Sequence, residues 1–478
     1  MKRTSSLLLL AAAAAALAGC PGPKRDRAKG GATTRPAAPR DRLSVLLVTV
    51  DTLRADHMGV YGYRRHTSPR MDALARRGVV FEQAYTYWPK TRGSFVGVMT
   101  GRFASQSGYG KSHPLLLDFN PTLASLLKGA GYETVATVDN PNVASSLGYG
   151  KGFDRYRETW EESPLATEMD RARAITADGV RYLAQAKPDR PFLLWLHYVN
   201  PHAPYDPPAP WDTAFLDADA SRGPALRPVN GFHGGVPRQW AVPGRNLGWY
   251  VARYDGEIAA ADAEVGKVLE ALDASAVRDR TLVVITSDHG ESLGEHGYYF
   301  DHGEDLFDPS LRIPLLVAGP GVKAGHRSDV LATTLDLVPT ILDEVKVSYP
   351  PDLVGQSLMP AARGERHPDR PRLQGQNDRN LLGAWDRRFK MVATPSDAGS
   401  RYALYDRETD PGETRDAAHA HAERAREERR ELELFRERID AQLVKTRRLL
   451  EGRSGEGRLS PEACEKLQAM GYVQQGCS

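Results

Sequence analysis

TLVVITSDHGESLGEHG, residues 281–297, opens with six residues that are mostly branched and apolar and then turns abruptly polar at Ser287, Asp288 and His289. A short apolar run bounded by turn residues reads as a strand buried on both faces. The residues that follow it stand where such a strand hands the chain to a loop. The same grammar recurs along the chain. LSVLLVTV at 43–50 ends on Asp51; the segment 120–140, NPTLASLLKGAGYETVATVDN, carries a helix from Pro121, a glycine break and a strand ending near Asn140. RPFLLWLHYV at 190–199 and LRIPLLVAG at 311–319 are further buried strands. Between them lie helical patterns: SPRMDALARRG at 68–78, with Ser68 as cap, Pro69 in the first turn and Gly78 as stop, and YDGEIAAADAEVGKVLEALDAS at 254–275. Strands alternating with helices predict an α/β fold, a mostly parallel central sheet covered by helices on both faces. Ligands of such sheets sit beyond the carboxyl ends of the strands, which is where Asp51, Asn140, His202 and Asp288 fall.

Composition is compatible with a large core. The chain has 478 residues, 41% hydrophobic and 26% charged, with a net charge of +2. That charge is uneven: residues 1–41 carry eight basic against two acidic side chains, a net +6, so the remainder carries −4. A mildly acidic body excludes nucleic acid as the principal partner. The basic start belongs to MKRTSSLLLLAAAAAALAGC, residues 1–20, which has the form of an export signal. Its end, Leu17-Ala18-Gly19-Cys20, resembles the bacterial lipobox, whose cysteine is lipidated and becomes the mature N-terminus. Residues 21–41 are Pro, Gly, Ala and charge, a flexible tether with nothing to bury. The expectation is an exported protein anchored through Cys20 to a bacterial membrane, facing the periplasm or the exterior. The other two cysteines, Cys464 and Cys477, either pair or stand as free thiols in a tail.

Two regions depart from the strand–helix rhythm. Residues 206–250 are long, Pro/Gly-rich and without clear period, the kind of segment that carries function or disorder. Toward the end, the stretch 387–413 reads as paired hairpin strands of a smaller antiparallel sheet. A long charged helix follows, with Leu, Phe and Ile as its packing stripe. This divides the chain into a larger domain at 42–370 and a C-terminal part at 371–478.

The chemistry starts from Asp288 and His289. A carboxylate and an imidazole at one strand end can share a divalent cation, and Asp51 approaches from another strand. With VTVDTLRADHMGVYGY, VMTGR, LHYVNPHAPYDPP, ITSDHGESLGEHG and LYDRETDPGE in this order, residues 43–413 resemble the sulfatase family of the alkaline-phosphatase-like superfamily. The resemblance implies a metal-dependent ester hydrolase. It maps Asp51, Asp288 and His289 onto metal ligands, and His202 onto a contact with the ester head or its leaving oxygen. His302 maps near where relatives place a Lys or His on that oxygen, and Asn140 onto a head-group contact. Thr52 stands where many relatives hold a second Asp. The Asp-His pair is similar to the phosphonate monoester hydrolase and phosphotransferase branches, and imidazole suits manganese, zinc or iron better than calcium.

Relatives carry C-x-P-S-R with its cysteine nine residues before the Thr of TGR. Counting back nine from Thr100 lands on Thr91, with Gly93 for Pro, Ser94 for Ser and Phe95 for Arg; Arg92 is a substitute for the missing guanidinium, and Ser94 a rival nucleophile. In family sulfatases the cysteine becomes formylglycine, which threonine does not supply. Thr91 is therefore expected both to touch the metal and to act as a plain alkoxide. The expected function is hydrolysis of sulfuric or phosphoric/phosphonic esters of a small molecule, glycan or lipid. A phosphotransferase acting on a glycan or lipid head group and a non-catalytic anion-binding member are the alternatives. Glu291, Glu295 and His296 either support the metal pair or lie in a solvated loop. Tyr85, Tyr87 and Trp88 either wall the pocket or pack the core.

Overall fold

The computed structural model describes residues 42–110, 115–217, 219–368 and 370–451. The export signal, Cys20, the tether, Cys464 and Cys477 lie outside them. Among the described residues no helix is long and apolar enough to cross a membrane.

The first strand, β1 (Ser44–Val50), is buried at every position. Its apolar residues alternate between two cores: Val45 and Leu47 join Phe95 and Val98 on one face, while Leu46, Val48 and Val50 join Ile258 and Val265 on the other. A strand sandwiched between helical layers must be apolar on both sides, hence its unbroken run. Eight strands form the sheet: β1, β2 (Gly78–Tyr85), β3 (Glu133–Val138), β4 (Arg155–Glu158), β5 (Phe192–Tyr198), β6 (Thr281–Thr286), β7 (Leu315–Ala318) and β8 (His326–Thr333), in the order β8-β2-β7-β6-β1-β5-β3-β4. All neighbours are parallel except β7, which runs against β2 and β6. The expected fold class is therefore the observed one.

Helices α1 (Pro69–Ala75), α2 (Thr91–Thr100), α3 (Glu168–Gln185) and α4 (Leu247–Asp273) are among those covering the sheet. Gly78 does not stop α1, which ends at Ala75. It opens β2 instead, where a Cβ would come within 2.2 Å of the Val317 carbonyl oxygen, so close strand pairing demands glycine there. The smaller sheet has four antiparallel strands, β9 (Leu373–Gln376), β10 (Leu382–Trp385), β11 (Phe389–Ser396) and β12 (Gly399–Asp406). Leu373, Trp385 and Val392 pack with Tyr85, Leu306 and Leu311 to join it to the large sheet. The last helix, α5 (Ala422–Glu451), buries Leu432, Phe435 and Ile439, the stripe that its sequence marks.

Candidate metal centre and active site

Parallel pairing brings the carboxyl ends of β1 and β6 side by side, Thr49 against Thr286. The first residues beyond them are thus forced together. Asp51 donates its backbone N–H to Tyr198 O at 2.9 Å, which fixes the turn. Asp51, Asp288 and His289 each offer a ligand atom, all within 4.8 Å of one another, and all three side chains are fully buried. His289 Nε2 lies 3.2 Å from Asp288 Oδ2 and 3.6 Å from Asp51 Oδ1. Its Nδ1 donates to the Gly290 carbonyl at 2.9 Å, which leaves the Nε2 lone pair facing the carboxylates. Asp51 Oδ1 and Asp288 Oδ2 have no hydrogen-bond partner among the described residues. Burial, and then the neighbouring Asp288, push the Asp51 carboxyl well above its usual range, and burial lowers His289 to about 4. Two orphaned carboxylate oxygens and an aligned imidazole lone pair fit a divalent cation, which would relieve the repulsion and desolvation together.

Thr91 is the first residue of α2, and its Oγ1 lies 3.2 Å from His289 Nε2. The hydroxyl therefore sits against the three ligands and at a helix N-terminus, where negative charge is stabilised. Ser94 lies one turn deeper. Its Oγ donates to the Asp288 carbonyl at 2.7 Å and accepts from Thr86 Oγ1 at 3.1 Å. Its hydroxyl is thus committed to holding the Asp288 loop. Gly93 is required by its neighbour, since a Cβ there would fall 2.4 Å from the Trp88 indole. Tyr85, Tyr87 and Trp88 are buried core residues. Arg92 Nε donates to Asn142 Oδ1 at 2.9 Å. Asn140 is turned onto the centre itself: its Nδ2 donates to Asp51 Oδ2 at 2.5 Å and its Oδ1 accepts from Asn142 N at 2.8 Å. Its amide therefore holds Asp51, one of the three clustered side chains; the resemblance implied a head-group contact for it.

His302 and His202 complete the cluster. The His302 ring centroid lies 4.1 Å from that of His289 and 5.2 Å from that of His202. Glu291, fully buried, meets His302 Nδ1 at 3.0 Å. Burial raises Glu291 to about 7 and lowers His302 to about 3. His202 is half-buried and donates Nδ1 to the Ala203 carbonyl at 2.6 Å, leaving Nε2 available.

Residues 44–347, well over half of the chain, match the family model described as Sulfatase. The chain belongs to the sulfatase family. Residues 294–438 also match the model described as N-sulphoglucosamine sulphohydrolase, C-terminal. Among curated relatives, a Delta 4,5-hexuronate-2-O-sulfatase of Bacteroides thetaiotaomicron is 26% identical over 80% of this chain and 86% of its own length. The multifunctional alkaline phosphatase superfamily protein PehA of Trinickia caryophylli is 25% identical over 67% and 77%. The phosphonate monoester hydrolase of Agrobacterium radiobacter shares the fold, with a TM-score of 0.69 and 21% identity over 84% of this chain and 96% of that one. The chain is a sulfatase-like ester hydrolase.

Within this sulfatase-family site, two residues escaped sequence reading. His197 sits inside β5, fully buried, with Nδ1 2.9 Å from Thr49 Oγ1 and Nε2 3.7 Å from Asp51 Oδ2. Its signal was a lone imidazole in an otherwise apolar run. Lys90 caps α2 from the exposed rim, its stem close enough that a Cβ on Gly303 would meet Lys90 Cδ at 3.1 Å. Glu295 and His296 belong elsewhere: Glu295 pairs with Arg54 at 2.7 Å, and His296 stacks on Phe307 at 3.7 Å. Thr52, where the resemblance implied a second Asp in many relatives, has φ of 54° and a buried Oγ1 with no hydrogen-bond partner among the described residues. A β-branched residue is strained in that region, so the surrounding packing over-determines it.

Proposed function

We propose that this chain is a metal-dependent hydrolase in which Thr91 is the nucleophile, and that phosphoric or phosphonic esters suit it better than sulfuric esters. The observation that carries the reading is the Thr91 hydroxyl at 3.2 Å from His289 Nε2, beside two unpartnered carboxylate oxygens. Asp51, Asp288 and His289 would hold the ion. An imidazole ligand favours manganese or zinc over calcium. When bound, the ion lowers the pKa of the Thr91 hydroxyl and neutralises the ester's non-bridging oxygens.

The chain's own residues supply the rest. Thr91 Oγ bonds to phosphorus as the bond to the leaving alcohol breaks. The proton lost from Oγ is relayed by a histidine, His202 or His302, to the alcohol oxygen. Water then attacks phosphorus in line, the bond to Thr91 Oγ breaks, and Oγ regains a proton. Glu291, held on His302 Nδ1, fixes the ring so that its other nitrogen faces the cluster. Sulfur fits less well: a sulfated threonine lacks the second hydroxyl through which a formylglycine hydrate expels sulfate. The two kinds of named relative, a hexuronate sulfatase and a phosphonate monoester hydrolase, bracket the choice. A lipid tether at Cys20 would hold the enzyme on a membrane, where glycan or lipid esters are within reach.

The test is turnover of paired aryl sulfate, phosphonate and phosphodiester substrates by protein loaded with manganese, zinc or calcium, against Thr91→Ala. Phosphorus-ester turnover lost in the variant supports the proposal. Turnover of sulfate esters alone refutes the substrate preference, and turnover that survives Thr91→Ala refutes the nucleophile. Metal binding without any turnover would point to an anion-binding protein.

A further inference from the structure

Gly303, the residue after His302, has φ of 90°, a conformation that glycine adopts without strain. It lies tightly against the residues that lead into Thr91: a Cβ there would meet Lys90 Cδ at 3.1 Å and the Pro89 carbonyl oxygen at 3.2 Å. The small sheet reaches the same residue. Asn377 Nδ2 donates to the Gly303 carbonyl at 3.1 Å. Asn377 directly follows β9 and is 3% exposed.

The Asn377 amide has no freedom to turn. Its Oδ1 accepts from the Arg379 N–H at 3.1 Å and the Leu381 N–H at 3.0 Å, both in the turn between β9 and β10. With the oxygen committed to two donors, Nδ2 is the atom left for Gly303. The preceding residue adds a second hold. Its backbone N–H, that of Gln376, donates to the Tyr87 carbonyl at 2.9 Å, four residues before Thr91. Two successive residues at the end of β9 thus bind the Thr91 stretch and the His302 loop.

The other holds on His302 are local. Its N–H donates to Asp301 Oδ1 at 2.8 Å, its carbonyl accepts from Tyr298 Oη at 3.1 Å, and its Nδ1 meets Glu291 at 3.0 Å. These partners belong to the same stretch, 291–302, and travel with it if it shifts. Arg379 also pairs with Glu304, but the arginine is mostly exposed and such a pair contributes little. Asn377 is a buried link from a separate sheet.

We infer that Asn377 is a positioning residue: through the Gly303 carbonyl it holds the His302 ring where it hands a proton to the leaving alcohol. The inference rests on the hydrolase reading, and of the two histidines named there it gives the proton transfer to His302.

The test is Asn377→Asp at about pH 8, where a carboxylate is ionised. It keeps an oxygen for the two turn N–H groups and replaces the donor with an oxygen facing the Gly303 carbonyl. Metal-loaded wild type and variant are compared on the 4-nitrophenyl and phenyl esters of one phosphonic acid. 4-Nitrophenolate leaves without a proton, whereas phenolate needs one. The 4-nitrophenyl-over-phenyl ratio of kcat/KM should rise about tenfold in the variant; a general loosening of the fold lowers both esters by the same factor. An unchanged ratio overturns the assignment. Asn377→Ser, which accepts from the same turn but is too short to reach Gly303, should act alike and serves if the buried carboxylate impairs folding.

Hydrogen exchange of the metal-free proteins reads the link without turnover. Residues 299–306 should exchange about tenfold faster in the variant, while 389–406 stay as in wild type. Unchanged exchange at 299–306 overturns the link, as does an equal rise at 389–406. If wild type turns over no ester while exchange rises at 299–306 only, the hydrolase reading fails and the link stands.

Discussion

Thr91 Oγ1 and His289 Nε2 lie 3.2 Å apart although 198 residues separate them in the chain. The contact follows from two short segments, each fixed by its own backbone. Thr91 is held at the start of α2, and His289 stands three residues beyond the end of β6. Ser94 locks the two together through its bond to the Asp288 carbonyl. The hydroxyl therefore reaches the ligand cluster by rigid placement.

That lock separates the two hydroxyls of the stretch. Ser94→Ala leaves the Asp288 carbonyl short of a donor in a buried site, at a cost of about 1–3 kcal/mol. It should lower the melting temperature and keep most of the turnover, whereas Thr91→Ser should keep a nucleophile and Thr91→Ala lose it. Calorimetry together with kcat on the three variants checks this. A Ser94→Ala protein that folds with unchanged stability and has no activity would reverse the assignment.

The proposed metal ligands should trade stability for function. Asp51 and Asp288 repel one another in a buried site. Asp51→Asn removes that repulsion, so the metal-free variant should melt higher than metal-free wild type. The rise in melting temperature that manganese or zinc gives wild type should shrink or vanish in it. Thermal scans with and without added metal after chelation measure both effects. A metal-free Asp51→Asn that melts lower would show that Asn140 and its hydrogen bond outweigh the repulsion.

Gly93 and Trp88 should be coupled. A Cβ at position 93 meets the indole at 2.4 Å, which overpacks a buried contact. Gly93→Ala should cost about 1–3 kcal/mol. Trp88→Leu opens room and should return part of that loss, so the double variant should be more stable than the sum of single changes allows. Denaturant unfolding of the four proteins gives the coupling directly, and strict additivity would exclude the clash.

Glu257 gives the pH dependence of stability a sign. It is buried in α4, accepts from Asn200 Nδ2 at 2.7 Å and from the Asp206 N–H at 2.8 Å, and so spans the loop that carries His202. Burial raises it to about 8, against an ordinary value of 4.5. The folded state thus holds a proton that the unfolded state releases. This contribution is present in full below about pH 4.5 and is lost as pH rises through about 8. Glu257→Gln should flatten the fall in melting temperature between pH 5 and pH 8, on the order of the interval between the two values. Melting curves across that range measure it, and an unchanged slope would mean that Glu257 stays ionised in the folded protein.

The sequence by itself determined the layered α/β fold. Runs such as 43–50 and 281–286 are apolar at every position, and only a strand covered on both faces needs that. It also placed Asp51, Asp288 and His289 at strand ends, because the apolar runs stop there. What it did not hold was which of these strand ends are neighbours, and which atoms of a side chain are already used. Thr91 and Ser94 look alike as hydroxyls three residues apart; only packing commits one to Thr86 and the Asp288 carbonyl and leaves the other against His289. Asn140 carried no sign of its bond to Asp51, which arises because β3 and β1, separated in the sheet by β5, set its amide there. His197 was hidden inside an apolar run, and the 206–250 segment, which has no period to read, found its place only when Trp240 and Val242 met Tyr250 and Phe300 around one small cavity. Periodicity records which side of an element is buried, and a long-range contact leaves no trace in it. The sheet order and the partners of each polar atom were therefore settled by tertiary structure alone.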